Sequence, residues 1–322
     1  MLFHISFLII GLLLIIFGAD YFIAGSSLIA KRFGIPKLII GLTVVALGTS
    51  TPELGINIIA SIQGHSELAL GNILGSNISN ILLVFAGAVL FVKSISISKD
   101  SLTQVSLTVL VSFVVLTLSV FLFGSNGGAI TQIEGLALLV LGFFYWFYLY
   151  KITKTDTERL EDDNISDNKL EKVSSTVWVL IITLSSLIAL LYGSNLVTNG
   201  AVFIAQSFGI SELVIAGTII AIGTSLPELV TSIQAVRQKQ FDLMIGTIVG
   251  SNIVNTLFIL GASVLIRTVP IGNEAMPYLY MNSIASVLLL VGFTLFAPRV
   301  FKRWQAIFLL ALYGIFLIFS LY

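Results

Sequence analysis

Apolar residues fill ten stretches of this 322-residue chain, and short polar or glycine-rich turns separate most of them. Each stretch has about the 20 residues that an α-helix needs to cross a hydrocarbon core of roughly 30 Å. The pattern therefore predicts an all-α integral membrane protein with ten transmembrane helices. The predicted spans are 4–29, 38–61, 68–91, 103–123, 130–150, 175–200, 213–236, 241–266, 275–297 and 303–321.

One connection differs from the others, because residues 151–174 form a polar linker with twelve charged residues that is too hydrophilic to enter the bilayer. The linker separates a first half, 1–150, from a second half, 175–322, and each half contains five predicted spans. With the N-terminus outside the cell, fifteen of the sixteen Lys and Arg residues fall on the cytoplasmic side, and only Arg267 falls outside. Because cytoplasmic loops carry an excess of Lys and Arg, we expect a multi-pass protein of the cell membrane with both termini outside and a cytoplasmic linker.

Composition agrees with this class and excludes several others. The chain is 57% hydrophobic and only 10% charged, with a mean hydropathy of +1.06, whereas soluble domains have about 25% charged residues. It has no cysteine, so disulfides and thiolate metal centres are excluded. His4 and His65 lie near the ends of predicted spans, which argues against a histidine metal site or a catalytic triad. We expect no enzymatic activity, no cofactor, no nucleic-acid ligand and no obligate protein partner.

A sequence motif occurs twice, at a constant offset. The copies read GLTVVALGTSTPEL with GNILGSNISN and AGTIIAIGTSLPEL with GTIVGSNIVN, and they occupy 41–54 with 71–80 and 216–229 with 246–255. Each residue of the first copy corresponds to the residue 175 positions later, as Glu53 does to Glu228. Because five spans per half is an odd number, the second copy enters the membrane from the opposite side. Such inverted repeats are typical of secondary transporters, whose substrate sites lie at the repeat interface.

Each copy places a glutamate next to a proline within an otherwise apolar span. Pro52 has no N–H, and its ring clashes with the carbonyl of Gly48, so the helix should bend or unwind there. Thr49 and Glu53 stand four residues apart on one helical face, with Ser50 beside them. The second copy repeats the arrangement with Gly223, Thr224, Ser225, Pro227 and Glu228. Two broken helices that face each other would direct carbonyls, hydroxyls and two carboxylates at one point.

All of these candidate ligands are oxygen atoms, which favours hard cations such as Ca²⁺, Na⁺ or Mg²⁺ over Zn²⁺ or Cu⁺. Two ionised glutamates neutralise one divalent ion or two monovalent ions. Without a cation, protonation is the alternative, because desolvation disfavours a charged carboxylate. An ionisable residue at mid-bilayer costs about 2.5–3.5 kcal/mol on insertion scales, so Glu53 and Glu228 are predicted to be functional.

The span that follows each broken helix carries further polar side chains. Ser76 and Asn80 lie four residues apart on one face, and Ser251 and Asn255 repeat the pair. They are candidate ligands, with hydrogen bonding between helices as the alternative. The neighbouring Asn77 and Asn252 point elsewhere on the helix and are interpreted as structural.

The motifs GTSTPE with GNILGSNISN and GTSLPE with GTIVGSNIVN resemble the two α-repeats of the sodium/calcium exchanger family, within the cation/calcium antiporter superfamily in its prokaryotic form. The resemblance covers essentially the whole chain. It implies ten helices in two inverted five-helix halves with ion sites at the centre. It also implies Ca²⁺ ligation by Glu53 and Glu228 with help from Thr49 and Thr224, a central position for Asn80, and Na⁺ contacts from Ala46, Ser50, Ser76, Ala221, Ser225 and Ser251.

The sequence departs from the family at one candidate ligand. Several family members have aspartate where this chain has Asn255, so the site has two carboxylates rather than three. This difference bears on the coupling stoichiometry, on K⁺ co-transport, and on whether Na⁺ or H⁺ is the coupling ion.

Three hypotheses of function follow. The first is a Ca²⁺/Na⁺ antiporter that works by alternating access, with these ions and the lipid bilayer as its partners. The second is a proton-coupled exchanger of the same fold, and the third is a cation channel. An enzyme is disfavoured because the sequence has no nucleophile–histidine pair and no paired intramembrane aspartates.

Overall fold

The computed structural model describes residues 2–126, 128–155, 169–207, 221–272, 275–295 and 299–321. In the first half, these residues form helices with two very short strands between them. The helices are α1 (Leu2–Phe33), α2 (Lys37–Ile40), α3 (Ala46–Thr49), α4 (Thr51–Gln63), α5 (Ser66–Ser79), α6 (Ala86–Val89), α7 (Lys99–Asn126) and α8 (Gln132–Thr155). Two π-helical segments, π1 (Gly41–Val45) and π2 (Asn80–Phe85), join some of them, and the strands are β1 (Ser94–Ser96) and β2 (Ala129–Ile130).

The described part of the second half repeats this order of elements. Its helices are α9 (Thr176–Ser207), α10 (Ala221–Thr224), α11 (Leu226–Arg237), α12 (Phe241–Ile253), α13 (Leu260–Ile266), α14 (Met276–Thr294) and α15 (Arg303–Leu321). One π-helical segment, π3 (Val254–Ile259), joins α12 to α13, and the strands are β3 (Val269–Pro270) and β4 (Val300–Lys302). The first part of the predicted span 213–236 and most of the linker lie outside the described residues.

The helices have the length and composition of membrane spans. By those criteria alone, six helices of the described ranges could cross a membrane, and a seventh span results if α2–α3 and α4 are counted as one bent unit. A shorter apolar helix covers Arg303–Ile318. The all-α membrane architecture is thus confirmed, while the count of ten spans stays a prediction.

The two repeats share their backbone geometry at both ends of the glutamate-bearing helices. Ser50 and Ser225, just before α4 and α11, have φ/ψ of −82°/10° and −89°/3°. At the far end of these helices, Gly64 and Lys239 both take positive φ, 92° and 57°. A left-handed residue is a common helix terminator because it lets the chain turn back onto the last carbonyls. Lys239 adopts this conformation although it lacks the backbone freedom of a glycine. Both repeats therefore have the same turn, although only the first has a glycine there.

Contacts across the halves bind the two repeats into one body. Strand β1 pairs antiparallel with β4, and β2 pairs antiparallel with β3, so each short sheet takes one strand from each half. The helices follow the same rule, since α1 packs along α9, α7 along α14, and α8 along α13. Neither half is therefore a separate folding unit, and the duplicated motifs lie in the region where the halves meet.

Two glycines let the helices of the duplicated motifs cross at backbone contact. A Cβ built on Gly246 of α12 would lie 2.5 Å from the carbonyl oxygen of Leu38 and 3.0 Å from the Cα of Gly41. Small residues at helix crossings are typical of membrane proteins, because close packing replaces the hydrophobic effect as the source of helix association. This crossing fixes the first broken helix against the second repeat.

Candidate cation site

The first broken helix places Glu53 deep in the protein. Segments Lys37–Thr49 and Thr51–Gln63 meet at Ser50 with a bend of 50°, as the Gly48–Pro52 pattern predicts. Pro52 occupies the first turn of α4, where a missing N–H is tolerated. Glu53 follows in the same turn and is 1% exposed.

The second broken helix places Glu228 deep in the protein in the same way. Helix α10 ends at Thr224, and α11 begins at Leu226 with Pro227 in its first turn and Glu228 next to it. Pro227 has no N–H to offer to the carbonyl of Gly223. That oxygen accepts a hydrogen bond of 2.9 Å from the hydroxyl of Ser194 in α9. A neighbouring helix therefore satisfies the carbonyl freed by the break, as burial in the membrane requires.

The two carboxylates lie close together at the interface of the repeats. The hydroxyl of Ser50 donates to Oε1 of Glu228 at 3.3 Å. Ser50 stands three residues before Glu53, so this hydrogen bond places Glu228 beside the break of the first helix. Both glutamates are 1% exposed, and Oε2 of each has no hydrogen-bond partner within the described part of the chain. No described Lys, Arg or His forms an ion pair with either glutamate.

Further oxygen atoms with the same property come from the predicted ligand residues. Four buried oxygens of the predicted ligands are among the buried polar atoms that make no hydrogen bond to any described residue: Oγ of Ser225, Oγ of Ser251, Oδ1 of Asn80 and Oδ1 of Asn255. Buried polar atoms are normally hydrogen-bonded. A set of unsatisfied oxygens around two carboxylates is therefore the expected lining of a site for a cation.

The remaining predicted residues are also located in this region. Thr49 is buried, and its hydroxyl donates to the carbonyls of Val45 and Ala46 at 3.1 and 3.3 Å, which leaves its lone pairs free for a cation. Thr224 and Ser76 are buried as well. The Ala46 carbonyl accepts the N–H of Ser50 at 3.0 Å. Ala221 is the first residue of α10, and its side chain lies outside the described residues.

Two π-helical segments carry Asn80 and Asn255, and no pattern in the sequence predicts these segments. Asn80 is the first residue of π2, and Asn255 is the second residue of π3. Each segment packs against the glutamate-bearing helix of the other repeat, since π2 contacts α11 and π3 contacts α4. Single π-turns within α-helices are frequent at functional sites, because the wider turn rotates the side chains that follow.

Asn77 and Asn252 belong to the same region, although the sequence predicts only a structural role for them. Nδ2 of Asn80 donates to Oδ1 of Asn252 at 3.0 Å, and Nδ2 of Asn255 donates to Oδ1 of Asn77 at 3.1 Å. The two amides therefore connect to the predicted ligands across the repeat interface. The bonded residues are 172 or 178 positions apart in the chain. A motif within one repeat therefore does not reveal these bonds.

The donor set is composed of oxygen. Among the described residues there is no group of three or more His, Cys, Asp or Glu side chains that could hold a metal ion. The arrangement thus combines two carboxylates with neutral hydroxyl and amide oxygens, which is the chemistry of Ca²⁺ and Na⁺ rather than of a transition metal.

Comparison with known proteins agrees with this chemistry. The family model described as sodium/calcium exchanger protein matches residues 3–151 and 178–322. The chain is 36% identical to the inner membrane protein YrbG of Escherichia coli K12, over 94% of this chain and 90% of that protein. It is 30% identical to the sodium/calcium exchanger MaX1 of Methanosarcina acetivorans, over 98% of this chain and 97% of that protein.

A solved structure has the same fold. The sodium-calcium exchanger NCX_Mj, soaked with 10 mM Na⁺ and zero Ca²⁺, matches with a TM-score of 0.81 and 30% sequence identity over 97% of each chain. Because the family model covers both halves and the buried oxygens have the chemistry described above, the chain belongs to the sodium/calcium exchanger family.

Proposed function

We propose that the protein is a secondary antiporter that exchanges Ca²⁺ for Na⁺ across the cell membrane by alternating access. The observation that carries this proposal is the pair of buried glutamates, Glu53 and Glu228, surrounded by neutral oxygens that have no partner among the described residues. The family membership supports cation/Ca²⁺ antiport as the class of transport. The coupling ion and the transport cycle are part of the proposal.

Charge balance explains why one site would serve both ions. The two carboxylates neutralise one Ca²⁺, and the hydroxyl and amide oxygens complete the six to eight oxygen ligands that Ca²⁺ takes. Na⁺ ions would neutralise the same carboxylates. Both ions thus need Glu53 and Glu228, so they compete. An empty site would carry two buried like charges, whose cost disfavours the switch between the two faces of the membrane. This cost would favour coupled exchange of ions over uncoupled leak of one ion through an empty transporter.

The proposed alternating access rests on ten spans in two inverted five-helix repeats, 1–150 and 175–322, with the 151–174 linker in the cytoplasm. The repeat-related helices α4 and α11 differ in how far they are covered. Ile59 of α4 is 55% exposed, whereas its counterpart Gln234 of α11 is 8% exposed. Helix α1 packs against α11, and Nε2 of Gln238 donates to Oδ1 of Asp20 at 3.1 Å at this contact. In the proposed orientation, the covered end of α11 is cytoplasmic and the exposed end of α4 is extracellular.

A proton-coupled exchanger is the second candidate. The observation that favours it is Asn255, since a neutral amide leaves two carboxylates to carry all the countercharge. Two protons neutralise Glu53 and Glu228 as well as two Na⁺ ions do. The geometry of the site is the same for both candidates, and the coupling ion distinguishes them.

Replacement of either glutamate by glutamine is expected to abolish Ca²⁺ exchange. Removing one charge from a buried, charge-balanced site costs about 3–5 kcal/mol, which corresponds to at least a 100-fold weaker Ca²⁺ affinity. The measurement is ⁴⁵Ca²⁺ uptake into proteoliposomes that contain Glu53→Gln or Glu228→Gln. Glu134→Gln is the matched control, because Glu134 caps the start of α8 through the N–H of Thr131 and glutamine can also serve in such a cap. Wild-type uptake by both site variants would contradict the assignment.

The coupling ion is tested with imposed gradients. Proteoliposomes loaded with Na⁺ and diluted into Na⁺-free medium are expected to accumulate Ca²⁺, and vesicles loaded with K⁺ are not. Vesicles with an acidic interior and no Na⁺ provide the comparison. Uptake that follows the pH gradient and ignores Na⁺ would replace Na⁺ by protons as the coupling ion. Ca²⁺ flux that needs neither gradient would indicate a channel.

The inverted topology is tested at two equivalent turns. Gln63 is the last residue of α4 and Arg237 is the last residue of α11, one position earlier in the alignment of the repeats, and both are exposed. Because the chain has no cysteine, Gln63→Cys and Arg237→Cys each introduce a single thiol. In intact cells, a membrane-impermeant maleimide should label only Gln63→Cys, and Arg237→Cys should react only after permeabilisation. Labelling of both from outside would exclude the inverted arrangement.

A further inference from the structure

Four asparagines form a reciprocal hydrogen-bonded cluster between the repeats. We propose that Asn77 and Asn252 are positioning residues, which turn the amide oxygens of Asn255 and Asn80 towards the transported cation. This inference rests on the proposed function, because it assigns a role to residues next to that same cation site. The four residues, which we term the asparagine cluster, are Asn77, Asn80, Asn252 and Asn255.

The geometry of the cluster repeats with the offset of the sequence. Asn80 donates through Nδ2 to Oδ1 of Asn252 at 3.0 Å, and Asn255 donates through Nδ2 to Oδ1 of Asn77 at 3.1 Å. Each bond thus joins one residue of each repeat, and the repeat operation converts one bond into the other. All four side chains are buried. In both donors the NH₂ group is used, and Oδ1 has no partner among the described residues.

The orientation of an amide decides what it offers to a cation. An asparagine side chain has one acceptor oxygen and one NH₂ donor on nearly identical shapes, and its hydrogen-bond partners select which way it points. An NH₂ group turned towards a cation would repel it. Acceptor oxygens on Asn77 and Asn252 hold the two NH₂ groups away from the site, so the oxygens of Asn255 and Asn80 are the groups that remain for an ion.

The two positioning residues are themselves held in different ways. Nδ2 of Asn252 donates to the backbone carbonyl of Asn77 at 3.3 Å, and a carbonyl can only accept. Nδ2 of Asn77 donates to the hydroxyl of Thr256 at 2.8 Å, and a hydroxyl can both accept and donate. The residue equivalent to Thr256 in the first repeat is Ile81, so this difference is fixed by the sequence.

The difference predicts opposite responses to the same substitution. In Asn77→Asp, one carboxylate oxygen still accepts from Asn255, and the other accepts from Thr256 once its hydroxyl rotates. In Asn252→Asp, one oxygen accepts from Asn80, but the other faces the carbonyl of Asn77 with no donor between them. That carboxylate must turn away and release Asn80. Both variants add one buried negative charge at equivalent positions, so the direct attraction of the charge for a cation is matched.

The experiment compares Asn77→Asp with Asn252→Asp in the purified full-length chain. The readouts are the half-saturating Ca²⁺ concentration for exchange and the rise in melting temperature caused by Ca²⁺ and, separately, by Na⁺. A ligand stabilises the state that binds it in proportion to its affinity. We expect half-saturation in Asn252→Asp to lie roughly tenfold or more above that in Asn77→Asp, the effect of one unsatisfied buried acceptor.

Removing the Thr256 hydroxyl provides a second comparison that does not need Asn252→Asp to fold. In Asn77→Asp with Thr256→Val, the carboxylate loses its donor, so half-saturation should rise roughly tenfold above Asn77→Asp alone. Thr256→Val in the wild-type background should have a smaller effect, because Asn77 still accepts from Asn255.

The outcomes separate the two proposals. Equal half-saturation in Asn77→Asp and Asn252→Asp, or no effect of Thr256→Val on Asn77→Asp, would overturn the positioning role while a Ca²⁺ response in the wild type upholds the site. A wild-type protein that neither Ca²⁺ nor Na⁺ stabilises would overturn the proposed function and the positioning role together.

Discussion

The rest of the structure is constrained by two buried carboxylates that repel each other. Neither of them has a basic partner among the described residues. Each charge in the membrane interior costs about 2.5–3.5 kcal/mol on insertion scales, and the proximity of the second adds to this cost. A bound cation would offset the cost of the two charges, and other features of the site favour its binding. The breaks at Pro52 and Pro227 bring both glutamates into the first turn of a helix, and Ser50 donates to Glu228. Neutral oxygens complete the surroundings without adding charge.

Duplication supplies the second carboxylate, and the interlocked halves keep the two together. Short sheets and helix pairs take one element from each half, so a movement of one repeat acts on the other. The copies are equivalent in backbone but not in their surroundings. Ser194 of α9 holds the carbonyl of Gly223, whereas the equivalent residue of α1 is Ala19 and has no hydroxyl to offer to Gly48. The two repeats therefore differ in how the carbonyl freed by each break is satisfied.

The sequence predicts the candidate site because the determinants of the broken helices are local. Pro52 and Gly48 predict a bend, and the spacing of Thr49 and Glu53 predicts a shared face, since both depend on residues within one helical turn. The membrane class follows equally directly from composition. What the sequence did not predict depends on partners far along the chain. Asn77 reaches Asn255 and Thr256 of the other repeat, and the π-turns at Asn80 and Asn255 arise where these helices pack on the opposite broken helix. A pattern in one repeat contains no information about such contacts, so the sequence predicts only a structural role for Asn77 and Asn252.

The proposed exchange requires that the carboxylates of Glu53 and Glu228 bind Ca²⁺ and Na⁺ in turn. A shared site is tested by calorimetric titration of the purified protein with Ca²⁺ at increasing concentrations of Na⁺. K⁺ replaces Na⁺ at the lower Na⁺ concentrations so that the ionic strength stays constant. If the two ions share the site, the apparent Ca²⁺ dissociation constant rises continuously with the Na⁺ concentration until binding is lost. A Ca²⁺ affinity that is the same in Na⁺ and in K⁺ would contradict a shared site.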